Sequence, residues 1–494
     1  MELPLLSLLL LAVPLAGALC WLVPRPDGAR WVALAGAAAG LALAVAAVVV
    51  FDAGRPGFQL VDQAAWIPTL SIAYRVGVDG ISVLFLPATA LLFLAAVAAS
   101  WNGVHALPRL YFSMLLLLET ATLGVFMALD TMLFLLFWEL TLVPLYFLVS
   151  LWGIGPERRH AAVKYTLVML AGGIPLLFGF LLLAFGQAEA SGAGVPAGLV
   201  FDLTELLSAS LPRETGLAVF LLLLLGFAAK VPVFPLHTWL PVMAMEGPAA
   251  VTALVTGLKL GAYGLIRFAV PLAPGAAAEL HWLLAGLGTA GVLYGAVTAL
   301  AQTNLRRMLA YSSLSHVGLV VLGVASFNLQ GLQGAVLQLL NFSVAAGGLF
   351  LLAGFLHQRT GSTDASDLGG VARTMPLLAS FFLLFGLAGM GLPGTSGFPA
   401  ELLILLSALR THTGAGIAAL AGAVVGAAYF LGLTRRVFFG PARHAAVLQA
   451  ADLRPRELAI VLVLALIVLA VGFYPAPVLE VLRQAGEGWV ARLP

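Results

Sequence analysis

Gly226-Phe227-Ala228-Ala229-Lys230-Val231-Pro232-Val233-Phe234-Pro235-Leu236-His237-Thr238-Trp239-Leu240-Pro241 closes an apolar run that begins near Leu217, and it sets one lysine just ahead of two prolines. An apolar helix running through lipid should contain neither. Proline removes a backbone donor and clashes with the preceding turn, so the helix must kink or break around Lys230–Pro235. A break at membrane depth persists only where protein or a water-filled cavity satisfies the freed polar groups. A lysine near mid-bilayer costs roughly 2.5–3.5 kcal/mol on insertion scales. Together these features point to an ion-handling site. The plain alternative is a lysine that snorkels from a helix end beside an ordinary proline kink.

Composition sets the class around that stretch. Of 494 residues, 62% are hydrophobic and only 9% charged, and the mean hydropathy is +1.06. Soluble domains carry about 25% charge, so the expected fold class is an all-α polytopic membrane protein. The net charge of +2 forms no basic face, which argues against a nucleic-acid partner. Cys20 stands alone, which excludes a disulfide framework and a cysteine-held iron–sulfur or zinc site. No glycine-rich phosphate loop follows a strand pattern, no His or carboxylate pair recurs at i, i+4 on one span, and no nucleophile–base set is visible. Neither a metal, a cofactor nor a catalytic residue is expected.

Apolar runs of about 20 residues give roughly fourteen transmembrane helices. Their centres fall near Ala12, Leu41, Leu91, Glu119, Leu140, Ile174, Gly226, Lys259, Ala290, Leu314, Phe342, Gly386, Val425 and Leu464. The start Met1-Glu2-Leu3 carries no positive side chain and the run reaches Trp21, so it reads as a first span, not a signal peptide. Basic residues orient the chain. Arg25, Arg30, Arg109, Arg158, Arg159, Lys164, Arg306, Arg307, Arg359, Arg373, Arg435, Arg436, Arg443, Arg454 and Arg456 fall in one set of alternate loops. Only Arg55, Arg75, Arg213, Arg267, Arg410, Arg483 and Arg492 fall in the other. The richer set should be cytoplasmic, which places both termini on the outer, periplasmic side.

A weak repeat accompanies the break. Met390-Gly391-Leu392-Pro393-Gly394-Thr395-Ser396-Gly397-Phe398-Pro399-Ala400-Glu401 is a second apolar segment interrupted by Pro and Gly, with one ionisable group. It should break its helix over Pro393–Glu401. Glu139 and His316 are separated by nearly the same offset as Lys230 and Glu401. Broken helices at matching places of two halves mark transporters with their site at the breaks. The expected organisation is 1–108 for N-terminal helices and a long external linker, 109–272 and 273–440 for two repeats, and 441–494 for a last helix and tail.

The chain has three lysines, and two of them, Lys230 and Lys259, lie inside apolar spans. Arginine stays charged at any accessible pH, whereas a desolvated lysine exchanges its proton. Glu139, within Phe137-Trp138-Glu139-Leu140-Thr141, is expected to meet Lys230 directly or through one water, as a device for moving a proton. A static buried ion pair is the alternative. His316, in Tyr311-Ser312-Ser313-Leu314-Ser315-His316, reads equally as a relay member or a hydrogen-bonded core histidine. Glu119 sits mid-span and ranks second. His237 follows the break and is expected at most to cap freed backbone groups.

Phe137–Pro144, Ala229–Pro232 with Pro235–Pro241, Leu258-Lys259-Leu260-Gly261-Ala262-Tyr263-Gly264, Tyr311–His316 and Val78-Asp79-Gly80-Ile81-Ser82 resemble the antiporter-like subunits of respiratory complex I. The resemblance runs from about Asp79 to Gly440. Within that family the M-type chain of bacterial NADH-quinone oxidoreductase is the most similar, because it carries glutamate on its second broken helix, where Glu401 lies. The resemblance implies a proton-translocating subunit of the inner membrane, without a redox centre of its own, beside L-, N- and K-type chains and driven by quinone reduction elsewhere. It implies Glu139 and Lys230 as the input pair, Lys259 as connector, His316 as relay and Glu401 as terminal carrier. A subunit of a cation/proton antiporter or membrane-bound hydrogenase is the nearest alternative, and a non-pumping structural paralogue the alternative of another class. The chain departs from the family after Pro241, where Val242-Met243-Ala244-Met245-Glu246 replaces a segment with an acid and a histidine. It departs again at Phe342, where the family places histidine. The gap should be bridged by water, with Gln338 closer to the His316–Glu401 axis than Asn341, because Gln338 shares the helix face of position 342.

Overall fold

A computed structural model describes residues 4–494, except 26, 193, 197, 210 and 443. Residues 1–3, used above to read the N-terminus, and Arg443 of the basic set lie outside the described residues. Eleven helices are long and apolar enough to cross a membrane. The fourteen expected centres fall in these eleven, in the shorter apolar helices Phe85–Ala99 and Pro376–Gly389, and in Arg213–Lys230. The chain is a polytopic all-α membrane protein.

Both proline-rich breaks are present. Helix Arg213–Lys230 stops at the lysine and the chain resumes as helix Trp239–Glu246. The freed groups are met locally: the Trp239 indole donates to the Ala229 carbonyl at 2.9 Å, and Val233 N–H donates to the Ala228 carbonyl at 3.1 Å. Helix Pro376–Gly389 likewise gives way to Gly397–Thr411. This second break is shorter than expected. Pro399 sits in the first turn of the downstream helix, where its missing N–H is no loss. Glu401 therefore lies inside that helix and not in the break.

A third break was not expected. Helix Ala249–Gly257 ends before Leu258 and Lys259, and Leu260–Gly264 starts a new helix that runs through a π-helical turn, Leu265–Ala269. A second π-helical turn, Phe342–Ala346, interrupts the long segment Leu329–Thr360. Such turns widen a helix and free carbonyls, frequently at functional sites.

The linker after the second span is not featureless. Gln59–Ile67 and Ile72–Val78 form an antiparallel hairpin, with Gln59 opposite Val78 and Ala64 opposite Tyr74. It leads into Asp79, whose carboxylate is gripped by both terminal nitrogens of Arg267 in the first π-helical turn. Arg267, assigned above to an outer loop, is thus a buried partner of Asp79. Arg306 also leaves its expected loop: it is buried and donates to the carbonyls of Gly247 at 2.6 Å and Met245 at 3.2 Å. The C-terminal tail forms helix Ala476–Val490, with Leu482 and Trp489 turned inward. It lies so close to the Asp79 turn that a Cβ on Gly80 would come within 2.1 Å of the Val481 carbonyl. Trp489 Nε1 donates to Ile266 O, inside the π-helical turn, at 2.8 Å.

Candidate functional site

The first buried group is built where two helix ends meet. Asp130 caps helix Thr131–Leu140 by accepting from Met132 and Leu133 N–H at 2.9 and 3.0 Å, which fixes the start of the segment carrying Trp138, Glu139 and Thr141. Trp138 and Thr141 are three residues apart and share a face. Lys230, the last residue of its half-helix, turns toward that face. Its ammonium donates to Thr141 Oγ1 at 2.7 Å and to Trp138 O at 3.2 Å, and stands 4.0 Å from the centre of the Trp138 ring. A cation over an indole contributes about 0.5–2 kcal/mol, more as water is excluded.

Glu139 points elsewhere. Its Oε1 lies where a Cβ on Gly173 would intrude to 2.0 Å, so the glycine of helix Arg158–Ser191 makes room for the carboxyl. Its Oε2 is buried without a hydrogen-bond partner. Among the described residues, Glu139 and Lys230 form no direct ion pair; of the two expected forms, direct or through one water, the direct one is absent, and the ammonium's bonds go to Thr141 and Trp138. A cavity of about 40 Å³, lined by Thr122, Thr141, Tyr165, Lys230, Trp239 and Leu258 among others, opens beside the ammonium. A water needs about 10–15 Å³ of such volume, so the cavity has room for more than one.

Lys259 occupies the unforeseen third break, only 4% exposed. Its ammonium makes no hydrogen bond to protein and lies 5.6 Å from the Phe342 ring centre. The Phe342 phenyl ring therefore offers the lysine a π-face. It cannot take its proton.

The second ionisable cluster is continuous. His316 Nδ1 meets the Ser312 carbonyl at 2.7 Å, and its Nε2 meets the Gly389 carbonyl, the last of the upstream half-helix. Both nitrogens face oxygen acceptors, an arrangement that N–H groups on both sides of the ring satisfy. Glu401 Oε1 is 3.5 Å from His316 Nε2 and 3.5 Å from Gln338 Nε2. Asn341 Nδ2 donates to Gln338 Oε1 at 3.3 Å, and Ser396 Oγ donates to Asn341 Oδ1 at 2.6 Å. A cavity of about 30 Å³, lined by Ser312, Ser313, His316, Gln338, Asn341 and Phe342 among others, adjoins this network. Gln338 thus touches Glu401, while Asn341 stands one bond further off.

The second-tier residues lie apart. Glu119 is fully buried with neither carboxyl oxygen bonded, and Oε1 faces Gly40 on helix Gly28–Val50. His237 lies with its ring against Phe234 and Tyr294 and its Nδ1 unbonded among the described residues, and the Trp239 indole meets the freed Ala229 carbonyl. Sequence reasoning passed over Thr141 and Ser396, neutral groups whose only signal was position: one three residues from Trp138, the other inside the second break.

Residues 128–426 match the family described as NADH:quinone oxidoreductase/Mrp antiporter, TM. The chain is 39% identical over 489 residues to NAD(P)H-quinone oxidoreductase chain 4 1 of Synechococcus sp. (strain JA-3-3Ab), across 96% of this chain and 90% of that one. It is 36% identical over 496 residues to NADH-quinone oxidoreductase subunit M of Pseudomonas aeruginosa, across 97% and 96%. Among solved structures, its fold matches a chain of respiratory complex I from Thermus thermophilus with bound NADH, at a TM-score of 0.89 and 33% identity, across 99% of this chain and 100% of that chain.

Proposed function

The chain belongs to the membrane family shared by NADH:quinone oxidoreductase and Mrp antiporters, and from that premise we propose that it is a proton-translocating subunit of a complex I-type NADH-quinone oxidoreductase. It works beside other membrane subunits, and the redox chemistry takes place in its partners. The observation that carries this reading is the run of buried, water-accessible or directly bonded groups from Lys230 past Lys259 to His316, Gln338 and Glu401.

In this reading Glu139 controls the charge on Lys230 through space, from its place against Gly173. Their Coulomb interaction acts at a distance, since no hydrogen bond joins them. A proton leaving Lys230 passes through water in the first cavity toward Lys259, then through the second cavity to His316 and Glu401. Gln338 holds Glu401 in place. Residues 109–272 and 273–440 act as input and output halves. Each supplies five spanning segments, an odd number, so they cross the membrane in opposite senses. The membrane is a bacterial inner membrane with both termini on its periplasmic side, supported by the basic-residue bias.

The test is Glu401→Gln in the assembled complex, reconstituted in vesicles. Proton uptake per quinone reduced should fall to the level set by the other pumping subunits. Unchanged stoichiometry would remove Glu401 from the path and favour a static scaffold.

A further inference from the structure

Two histidines that the proposed path does not use meet at one end of the bundle. His281 opens helix His281–Leu300, and His412 is the single residue between helices Gly397–Thr411 and Thr413–Phe438. His281 Nδ1 lies 2.8 Å from His412 Nε2, with ring centroids 5.1 Å apart and ring planes at 46°. The two residues are 131 positions apart in sequence, so the fold and not local geometry brings them together.

The second nitrogen of His412 fixes which atom is free. Nδ1 lies 3.1 Å from Thr411 Oγ1, and as an N–H it donates to that hydroxyl. A neutral imidazole carries one N–H and one lone pair, so Nε2 then presents its lone pair toward His281. Metal-ligating histidines are held in this way, with the far N–H anchored on an oxygen. His281 is exposed, so its ring is free to tilt and to carry its proton on Nε2.

The charged groups nearest in sequence are otherwise engaged. Glu279 is paired with Arg213, and Arg410 reaches Gln330 at 3.5 Å. No third His, Cys, Asp or Glu joins the two rings among the described residues. The pair therefore offers two nitrogens and leaves the remaining positions to water.

The separation selects among cations. Metal–nitrogen bonds are about 2.0–2.1 Å, so two cis ligands at a right angle stand about 2.9 Å apart and tetrahedral ones about 3.3 Å. The observed 2.8 Å is the length of the hydrogen bond between the two rings, close enough that a small tilt of the exposed His281 sets the right-angled pair. Imidazole in a tetragonal or square-planar set suits Cu²⁺ and Ni²⁺. We propose that His281 and His412 form a two-nitrogen site for a divalent transition cation of this kind, bridging the start of helix His281–Leu300 to the end of the helix that carries Glu401. Two neutral rings bind without net proton release, because His281 only moves its proton from Nδ1 to Nε2. The bound cation ties down one end of the Glu401 helix.

The test uses the assembled complex and Cu²⁺ alone. Electron paramagnetic resonance during a Cu²⁺ titration should show a tetragonal copper signal with splitting from two imidazole nitrogens. His281→Ala and His412→Ala should each weaken that binding by roughly tenfold or more, the scale seen even for the loss of an outer-shell partner. Thr411→Val should weaken it less while keeping both nitrogens. The same signal, at the same midpoint, in both alanine variants would overturn the proposal, as would no two-nitrogen signal in the unaltered complex. Binding is read without a pumping assay, so its outcome is independent of the function proposed above.

Discussion

The two broken helices place their ionisable groups on opposite sides of the break. Lys230 is the last residue of the upstream half-helix, whereas Glu401 lies in the downstream half-helix that begins at Gly397. A helix C-terminus carries partial negative charge and favours a cation, while an N-terminus favours an anion. Each charge therefore stands toward the end that suits it, Lys230 directly and Glu401 just beyond the first turn. Their companions differ too. Lys230 is cradled by a hydroxyl, a carbonyl and an indole face, with its acid out of bonding reach. Glu401 stands 3.5 Å from a histidine and 3.5 Å from an amide. The first half thus holds a proton donor whose bonded partners cannot take its proton. The second joins a carrier to its relay. The difference teaches that the two broken helices are not interchangeable copies: on the proposed path, transfer out of Lys230 requires water, and transfer to Glu401 does not.

The contrast is broken most forcefully at the first half. Lys230→Ala and Glu139→Gln should each abolish the pumping that this subunit contributes, measured as protons moved per quinone reduced. Thr141→Val should be milder. It removes one bond to a charged donor, about 1.5–3 kcal/mol, but leaves the ammonium over Trp138. Equal losses for Thr141→Val and Lys230→Ala would mean that position, not charge, is what the site requires.

The second half is sharpened at Gln338 and Phe342. Gln338→Leu leaves Glu401 and Asn341 each short of a partner, about 1–3 kcal/mol, and should slow transfer roughly tenfold. Phe342→His restores a titratable group beside Lys259 and should raise the pumping rate. Proton uptake unchanged in both variants would route protons away from this cavity.

How much of this was legible in the sequence follows from what each signal measures. Each of the fourteen centres read from apolar length falls in a helix, because twenty apolar residues have few alternatives to crossing a bilayer. Proline marked two breaks, because its chemistry is local. The break at Leu258–Lys259 carries no proline and is held by tertiary contacts, so nothing local announced it. The direct form of the Glu139–Lys230 pairing is absent for a geometric reason: neighbours on a helix point about 100° apart, so the lysine that bonds Trp138 and Thr141 makes no direct contact with Glu139. Arg267 was read as a loop residue because its partner, Asp79, is 188 residues away. The hairpin after the second span was legible only as a long external linker.

The smallest effect belongs to the tail. Trp489→Phe removes the indole donor from the Ile266 carbonyl in the π-helical turn of the Lys259 segment, a loss of about 1 kcal/mol. Hydrogen exchange in residues 476–490 should speed up roughly fivefold, with pumping retained. No change in exchange would mean that the tail helix is held by its apolar face alone.

Lys259 tests the account most directly, because it is the one buried lysine between the two broken helices and its ammonium has no hydrogen-bond partner among the described residues. Lys259→Met keeps most of the side-chain volume and removes the proton. Measured in vesicles containing the assembled complex, this variant should lose the subunit's share of protons moved per quinone reduced, with assembly intact. Full stoichiometry in the Lys259→Met complex would contradict a path that joins Lys230 to Glu401.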